Sequence, residues 1–250
     1  MSWTLITGAS SGIGAACGET LAKQNHKLWL VARREDRLKT LSEKLKAHGT
    51  EVIYSVLDLS KADDVAKFAQ DHQTQLNDVT VLINNAGLAK GIGTLQTGRL
   101  SDWQQMIETN VMGLLRITQL VLPKMCERKK GHVVNIGSVA GRWPYPGGNV
   151  YSATKSAVHM LNQSMRLDVI GTGVRISEVS PGMAETEFSE VRLQDAARAK
   201  AIYAGMKPLS AQDIADTVAW CLTRPEHVNI QEVVIYPTDQ AAPGHVHRRP

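Results

Sequence analysis

Three side chains in the middle of the chain have the types and spacing that proton transfer requires. Tyr151 and Lys155 are four residues apart, and Ser138 precedes the tyrosine by thirteen residues. On an α-helix, a spacing of four puts two side chains on one face. An ammonium beside a phenol stabilises the phenolate, which lowers a tyrosine pKa that is ordinarily about 10. We therefore predict an acid/base group with its activator, and a serine hydroxyl that hydrogen-bonds the reacting oxygen.

The N-terminal segment predicts the site of a hydride-carrying cofactor. An apolar run, 3–7, leads into a glycine-rich turn, and a helix candidate follows. Glycines allow backbone amides to approach a pyrophosphate, which the positive end of the following helix attracts. The spacing is Gly-x-x-x-Gly-x-Gly, not the Gly-x-Gly-x-x-Gly of longer dehydrogenases. The predicted dinucleotide contacts in this turn are Thr7, Gly8, Ser10, Ser11, Gly12, Ile13 and Gly14.

Two arginines at the end of the second predicted strand indicate which dinucleotide binds. Arg33 and Arg34 stand where an NAD site usually has an acidic residue for the ribose 2′-hydroxyl, and the acids Glu35 and Asp36 come only afterwards. Arginine suits the 2′-phosphate of NADP. A solvated basic turn is the alternative. We predict NADP(H) as the cofactor.

Composition limits the class of protein. The 250 residues are 43% apolar and 21% charged, without an apolar run of about 18 residues, so we expect a soluble globular protein and no membrane partner. The net charge of +4 is small and aromatic residues make up only 5%, which argues against nucleic-acid binding. Cys17, Cys126 and Cys221 are widely separated and suggest buried thiols, no metal site and a cytoplasmic location.

Apolar runs alternate with amphipathic stretches along the whole chain, which predicts a parallel sheet covered by helices. We expect a single-domain, Rossmann-type α/β fold: a doubly wound sheet of about seven parallel strands with helices on both faces. Ser101 and Ser210 each precede a residue pattern typical of a capping box. The expected strands are 3–7, 27–32, 51–57, 79–84, 131–138, 173–180 and 232–236, and the expected helices lie near 12–25, 35–48, 61–76, 101–128, 150–171 and 210–224.

A single domain, 1–250, is expected to contain both the cofactor site and the catalytic site. Its cofactor half is expected at about 1–137 and its catalytic and substrate half at about 138–250. The segment after Pro181-Gly182 lacks a clear strand. Because ligands bind beyond the carboxyl ends of the strands in such sheets, we predict that 183–208 forms a lid.

These motifs, in this order, resemble the short-chain dehydrogenase/reductase family over nearly the whole chain. The resemblance implies a catalytic tetrad of Asn110, Ser138, Tyr151 and Lys155. It also implies that Tyr151 exchanges a proton with the substrate oxygen, that Lys155 lowers the tyrosine pKa and binds the nicotinamide ribose, and that Asn110 holds a water. Further cofactor contacts implied by the family are Asp58, Leu59, Asn85, Ala86, Gly87, Tyr151, Lys155, Pro181, Gly182 and Thr186.

The segment 137–151, together with 186–192 and the tail, resembles the family's branch of NADP-dependent 3-hydroxy acid dehydrogenases. That branch includes serine dehydrogenases and semialdehyde reductases, so we expect a small anionic substrate such as serine or 3-hydroxypropionate. Ser138 and Tyr151 would bind the reacting oxygen, and Arg192 would clamp a carboxylate. The alternative for Arg192 is a solvent-facing lid residue.

Arg142, just after the catalytic serine, departs from the pattern of that branch. An arginine beside the site would favour a harder anion such as a sulfonate, which makes reduction of sulfoacetaldehyde to isethionate the alternative function. Arg142 would otherwise point to solvent or form an ion pair. A non-enzymatic NADP-binding sensor is a remote third possibility, since such proteins usually lose the tyrosine or the lysine.

The family resemblance also implies an assembly. Relatives are commonly homotetramers in which the two long helices, here 101–128 and 150–171, pair across a two-fold axis. The His247-Arg248 tail is expected either to be solvated, to bind a metal or an anion, or to reach an adjacent subunit.

Overall fold

The computed structural model describes residues 2–249, and a seven-stranded parallel sheet forms its centre. The strand order is β3-β2-β1-β4-β5-β6-β9, and two small two-stranded sheets lie outside it. The seven predicted strands are all present, with ends within two residues of the prediction. The strands are β1 (Trp3–Thr7), β2 (Lys27–Ala32), β3 (Val52–Val56), β4 (Val79–Asn84), β5 (Gly131–Ile136), β6 (Val174–Pro181), β7 (Ala184–Glu185), β8 (Leu209–Ser210), β9 (Glu232–Ile235), β10 (Gln240–Ala242) and β11 (His245–Val246).

Helices cover both faces of this sheet, as predicted. Helices α1, α2 and α10 pack on one face, and α3, α6 and α7 pack on the other. The helices are α1 (Gly12–Ala22), α2 (Glu35–Lys46), α3 (Ala62–Asp71), α4 (Gln73–Asn77), α5 (Leu100–Ile107), α6 (Gly113–Glu127), α7 (Asn149–Asp168), α8 (Phe188–Leu193), α9 (Ala196–Ala201) and α10 (Ala211–Leu222).

Two hydrophobic cores hold the layers together. On one face, Leu21 and Ile214 meet the strand residue Leu30, and all three side chains are fully buried. On the other, Ile117 and Val158 pack against the underside of the sheet. The central strands therefore bury apolar residues on both sides, which explains why their sequences do not alternate.

The point at which the strand order reverses lies between β1 and β4. Strand β1 pairs with β2 on one side and with β4 on the other, and all three run parallel. The connections from β1 and β4 leave in opposite directions, so a crevice opens beyond their carboxyl ends. The fold thus places the glycine turn after β1 beside the loop after β4.

The long helix predicted at 101–128 is interrupted. A π-helical turn, Glu108–Met112, separates α5 from α6. A π turn adds one residue to the helical ring and turns neighbouring side chains, and here it carries the buried Asn110. The predicted helix 61–76 is likewise divided at His72 into α3 and α4.

The two predicted capping boxes have different outcomes. The box at Ser210 is confirmed: its hydroxyl accepts a hydrogen bond from the Asp213 backbone, and the Asp213 carboxylate accepts from the Ser210 backbone. The box at Ser101 is wrong, because the N-cap of α5 lies two residues earlier, at Arg99, and has no side-chain cap. Arg99 instead forms an ion pair with Asp102.

The segment 183–208 contains two short helices and closes against the end of the chain. Strand β7 pairs with β8, which gives this segment a strand that its sequence did not reveal. Arg248 donates to the carbonyl oxygens of Ile202 and Ala204, and Arg249 donates to the carbonyl of Gly205 at 2.6 Å. The tail therefore packs on its own chain, through bonds that the sequence did not predict.

Between residues 2 and 249, no helix is both long enough and apolar enough to cross a membrane. The three cysteines are free thiols; Cys17 and Cys221 are buried, as predicted, whereas Cys126 is half-buried. Burial raises the pKa of Cys17 to about 12 and that of Cys221 to about 11.

Candidate active site

A cavity of about 890 Å³ lies beyond the carboxyl ends of the strands. Its walls run from Arg34 and the glycine turn to Tyr151, which suits a whole dinucleotide together with a small substrate. The predicted site residues that line it are Gly8, Ser10, Ser11, Gly12, Ile13, Arg33, Arg34, Asp58, Leu59, Asn85, Ala86, Gly87, Ser138, Tyr151, Lys155, Pro181, Gly182, Thr186 and Arg192. Four predicted residues are not among its walls: Thr7, Gly14, Asn110 and Arg142.

The glycine turn forms a cradle that a side chain would fill. Gly8 has a φ of +65°, and a Cβ there would come within 2.8 Å of the Asn85 amide nitrogen. A Cβ on Gly14 would lie 2.5 Å from the carbonyl oxygen of Gly8. The backbone is thereby exposed at the start of α1, where amides and the helix dipole favour an anion. This turn fits the pyrophosphate of a dinucleotide.

Thr7 and Asn85 hold the two loops of the crevice together. The Thr7 hydroxyl accepts hydrogen bonds from the backbone amides of Asn85 and Ala86, each at 3.0 Å. The Asn85 side-chain amide donates to the carbonyls of Thr7 and Gly8. Thr7 therefore lies beneath the cavity wall and orients it, whereas the predicted role was a cofactor contact.

Arg34 faces the glycine turn at one end of the cavity. Its guanidinium donates to the hydroxyls of Ser10 at 3.2 Å and Ser11 at 2.6 Å. It also forms a 3.0 Å ion pair with Glu187 of the lid segment, which Arg37 contacts as well. Those arginines hold the pKa of Glu187 below its usual range, although burial opposes them. A 2′-phosphate at this end would compete with the Glu187 carboxylate for the Arg34 guanidinium.

The remaining cofactor-contact candidates border the same crevice. Asp58 forms a tight turn by accepting hydrogen bonds from the backbone and hydroxyl of Ser60. Thr186 lies across the cavity from Gly12, since a Cβ on that glycine would be 3.4 Å from the threonine Cβ. The lid segment thus reaches over the glycine turn.

Ser138, Tyr151 and Lys155 come together at the other end of the cavity. Tyr151 and Lys155 lie one turn apart in α7, and both are buried. Ser138 lies two residues after the end of β5 and caps the short helical turn Val139–Gly141, where its hydroxyl oxygen accepts from the Ala140 amide. The Lys155 ammonium donates to the carbonyl of Ile136 at 2.7 Å. Sequence and structure agree on this grouping.

The ionisation of Tyr151 differs from the expectation. Burial raises the pKa of Tyr151, and a hydrogen bond with Ser138 opposes that increase only in part. Burial also lowers the pKa of Lys155 to about 8, while Glu178 acts in the opposite direction. A phenol in a low-dielectric site resists ionisation because its anion loses hydration. At neutral pH the tyrosine is therefore a protonated phenol, ready to donate.

Asn110 lies behind the catalytic face, not in it. Its side-chain oxygen accepts from the Leu88 amide at 2.8 Å, and its nitrogen donates to the Leu88 carbonyl and to the Thr154 hydroxyl. A Cβ on Gly87 would lie 3.4 Å from that oxygen and 3.7 Å from the Lys155 ammonium. Asn110 thus ties the loop after β4 to α7, close to the lysine.

Arg192 projects from α8 into the cavity near Tyr151. Its guanidinium donates to the Tyr145 hydroxyl at 2.6 Å, to the Gly147 carbonyl at 2.9 Å and to the Gly91 carbonyl at 3.0 Å. An arginine has five N–H donors, so the terminal nitrogens retain donors for a ligand. The positive charge also lowers the pKa of Tyr151, although burial outweighs it.

Arg142 does not reach the cavity, which corrects its prediction as a substrate-binding residue. Its guanidinium forms an ion pair with Glu232 and lies 3.3 Å from His159. Both partners carry polar groups that are largely buried, and they hold the arginine between α7 and β9. The ion-pair alternative was the correct one for Arg142.

Several cavity residues were not predicted from sequence. Tyr145, Glu187 and Phe188 all line it, and the Phe188 ring lies 5.4 Å from that of Tyr151. Tyr145 belongs to the segment that the sequence had marked as distinctive, but no spacing rule assigns it a role. The only sequence signal for Glu187 is that it follows Thr186, a predicted cofactor contact.

Fold and site together define a class: an oxidoreductase of the doubly wound type, with a dinucleotide crevice and a tyrosine-lysine pair at its end. Residues 2–197 match the short chain dehydrogenase family. The chain belongs to the short-chain dehydrogenase/reductase family, which confirms the predicted fold and enzyme class.

Similar proteins cover nearly the whole chain. An NADP-dependent 3-hydroxy acid dehydrogenase YdfG from Salmonella typhi is 40% identical, covering 98% of both chains. Sulfoacetaldehyde reductase 2 from Chromohalobacter salexigens is 43% identical, covering 95% of this chain and 94% of its own. The closed form of a serine dehydrogenase complexed with NADP⁺ has a TM-score of 0.92 and 38% identity, covering 99% of this chain and 100% of the other.

Proposed function

We propose that the protein is an NADP(H)-dependent oxidoreductase that interconverts a small anionic aldehyde or ketone and its hydroxy compound. Substrates of the 3-hydroxy acid or semialdehyde type, such as serine or the pair 3-hydroxypropionate and malonic semialdehyde, fit best. The observation that carries this proposal is Arg192, a guanidinium with unused donors that bonds Tyr145 in the cavity beside Tyr151.

The cofactor is NADP(H). The bare glycine cradle accommodates the pyrophosphate, and the arginines at 33 and 34 suit the 2′-phosphate. Relatives whose names specify NADP support the same cofactor. When bound, the nicotinamide supplies or accepts the hydride.

Side chains of the catalytic group supply the proton and stabilise the charge on the carbonyl oxygen. Tyr151 donates its phenolic proton to the substrate oxygen, and Ser138 donates a second hydrogen bond to that oxygen as its negative charge develops. Lys155, as an ammonium, compensates the charge left on the phenol. Because burial raises the pKa of Tyr151, the neutral phenol dominates near pH 7 and can donate its proton to a carbonyl oxygen.

The anionic group of the substrate lies against Arg192. With the hydroxyl of Tyr145 beside it, the guanidinium offers a charged and a neutral donor to carboxylate or sulfonate oxygens. The rings of Phe188 and Tyr145 narrow the space around Tyr151, which favours a substrate of few carbon atoms.

Reduction of sulfoacetaldehyde to isethionate is the second candidate. This function was predicted from Arg142, but the Arg142 side chain is paired with Glu232 and so does not support it. The support that remains is the 43% identical sulfoacetaldehyde reductase. A non-enzymatic sensor is disfavoured, since cofactor binding alone does not require a serine hydroxyl beside the Tyr151 phenol.

A panel of substrates tests the proposal. We compare kcat/KM for the NADPH-dependent reduction of malonic semialdehyde, succinic semialdehyde, sulfoacetaldehyde and a neutral aldehyde of similar size. For the reverse direction, serine and 3-hydroxypropionate are compared with NADP⁺ as the oxidant. We expect an anionic substrate to exceed the neutral aldehyde by at least about tenfold, the value of one charge-assisted hydrogen bond. Equal efficiency with the neutral aldehyde would exclude the anion clamp.

We further propose a homotetramer in which α5–α6 and α7 pair between copies. Exposed apolar side chains on these helices support it: Ile107, Met112, Met160 and Leu167 are 37–74% exposed. Such a stripe is unusual for a free helix surface and suits an isologous contact.

A further inference from the structure

Four ionisable side chains meet in a cluster behind the catalytic residues. Arg142 follows the turn after Ser138, His159 lies on α7, Glu178 on β6 and Glu232 on β9. His159 Nδ1 is 2.8 Å from Glu178 Oε2, and Arg142 contacts both His159 and Glu232. The Glu178 carboxylate is only 1% exposed, which makes its charge costly unless something compensates it.

This cluster adjoins Lys155 across the end of β5. His159 is one helical turn beyond Lys155 on α7. The Lys155 ammonium donates to the carbonyl of Ile136, and the next residue, Gly137, faces Glu178 so closely that a Cβ there would be 2.1 Å from Glu178 Oε1. The lysine and the carboxylate therefore flank the same short piece of backbone.

Charge counting leaves one carboxylate without a cation inside the cluster. Arg142 compensates Glu232. Glu178 has the His159 ring and the Ser180 hydroxyl, which donates to Glu178 Oε1 at 2.5 Å. The Ser180 hydroxyl supplies a hydrogen bond but no charge, and the His159 ring, whose Nε2 accepts from the Gln163 side-chain amide at 2.8 Å, has one N–H to donate. The ammonium of Lys155 is then the cation that balances Glu178.

The position of Arg142 argues against a metal ion in this cluster. His159, Glu178 and Glu232 offer donor atoms within 4.8 Å of one another. The guanidinium of Arg142 already lies against Glu232, so a metal ion would have to displace it.

We propose that Glu178 is a positioning residue whose buried carboxylate keeps Lys155 in its ammonium form during the reaction, with Arg142 and His159 holding that carboxylate in place. The inference rests on the proposed role of Lys155. The shifts agree with the geometry, because burial lowers the pKa of Lys155 to about 8 and Glu178 opposes the decrease. The charged and titratable groups facing Glu178 or its cluster are Lys155 and His159 from α7, Arg142, Glu232 from β9, and Tyr236. Burial raises the pKa of Tyr236, and Arg142 opposes that increase only in part.

Glu178→Gln tests the proposal by removing the charge and keeping the shape. The rate of carbonyl reduction should fall at high pH as Lys155 loses its proton, and in this variant the alkaline limb of the kcat profile should move down by about one pH unit. Glu178→Asp retains the carboxylate and should keep the limb within a few tenths of a unit of wild type. A uniform loss at every pH in both variants would indicate a structural role and overturn the proposal.

Arg142→Met should shift the alkaline limb of the kcat profile in the opposite direction. Glu232 then lacks its cation, so the site near Lys155 becomes more negative and the alkaline limb should move up by about half a unit or more. Arg142→Met leaves the Glu178 carboxylate beside Gly137 unchanged, so it tests the proposal even if Glu178→Gln does not fold. An unchanged limb in Arg142→Met would contradict the proposal.

A titration independent of activity separates this inference from the proposed function. Protein labelled with ¹³C at the lysine Cε carbons is titrated by NMR, and Lys155 is assigned with Lys155→Met. Glu178→Gln should lower the Lys155 midpoint by about one pH unit. An unmoved midpoint rejects Glu178 as the counter-charge and leaves the function intact. A moved midpoint with an unmoved kcat profile supports Glu178 but refutes the role of Lys155.

Discussion

At the residue scale, the grouping of Ser138, Tyr151 and Lys155 was predictable because spacing on a helix determines which side chains share a face. Their ionisation was not. The sequence suggested a phenol made more acidic by its lysine, whereas burial raises the pKa of Tyr151. Desolvation depends on the packing of distant residues such as Phe188, which no local spacing reveals.

Arg142 and Arg192 show the same limit. Both were candidates for the anion, and only Arg192 lines the cavity. The partner that turns Arg142 away, Glu232, is ninety residues later in the chain. Pairings of that kind arise from the order of strands in the sheet and leave no signal near the arginine itself.

Replacing Arg192 tests the anion clamp. Arg192→Met should lower kcat/KM for the best anionic substrate by about 10–100-fold, mainly through KM, because a charged hydrogen bond is worth about 1.5–3 kcal/mol. Steady-state kinetics with NADPH give the ratio. Arg198→Met, an arginine on the exposed face of α9, serves as the control and should stay within about twofold. A similar loss for a neutral aldehyde would show that Arg192 supports the lid and not the anion.

At the element scale, the strands were the most predictable part of the chain. Runs that are apolar on both faces define β1, β2 and β4 with the same bounds in sequence and structure. The helix 101–128 was less predictable, because the π turn that carries Asn110 has no distinct composition. At Ser101 the predicted cap was wrong: the N-cap lies two residues earlier, at Arg99, which pairs with Asp102.

Two of the three glycines of α1, Gly14 and Gly18, provide a matched test of the cofactor cradle. A Cβ on Gly14 would lie 2.5 Å from the Gly8 carbonyl, whereas a Cβ on Gly18 would make ordinary contacts at 3.5 Å or more. Gly14→Ala should therefore weaken NADPH binding by at least about tenfold as the turn is displaced.

Gly18→Ala, one turn along the same helix, should leave binding unchanged and stabilise the fold by up to about 1 kcal/mol. Fluorescence titration with NADPH and thermal unfolding measure both effects. Normal NADPH affinity in Gly14→Ala would contradict the close approach in this turn.

The caps give a second matched pair. Ser210 caps α10 with its hydroxyl, whereas Ser101 lies inside α5 without a capping bond. Ser210→Ala should lower the free energy of unfolding by about 1 kcal/mol. Ser101→Ala should change it by less than about 0.5 kcal/mol. Denaturant unfolding compares the two, and equal losses would mean that Ser101 does act as a cap.

At the scale of the whole molecule, the family and sheet order followed from motifs in their order along the chain. The closure of the tail on the lid segment did not, because the Arg248 and Arg249 bonds are made to backbone carbonyls that any sequence provides. The lid motion and the division into cofactor and substrate halves remain predictions.

The proposed assembly makes its own prediction. Met160 and Leu167 are seven residues apart, two turns of α7, and are 59% and 74% exposed. The double variant Met160→Glu/Leu167→Glu should reduce the mass in light scattering, because charges would be buried between copies. Val56→Glu, an exposed apolar position on the edge strand β3, should leave it unchanged. A monomeric wild type would exclude the assembly.

The central claim is that Tyr151 transfers the proton to a carbonyl at this site. The most direct measurement is kcat/KM for NADPH-dependent reduction of the best anionic aldehyde by Tyr151→Phe, with Tyr54→Phe on β3 as the matched control. Removing a general acid should cost at least about 10²-fold in rate, while NADPH affinity and Tyr54→Phe stay close to wild type. Turnover within a few-fold of wild type in Tyr151→Phe would contradict the claim.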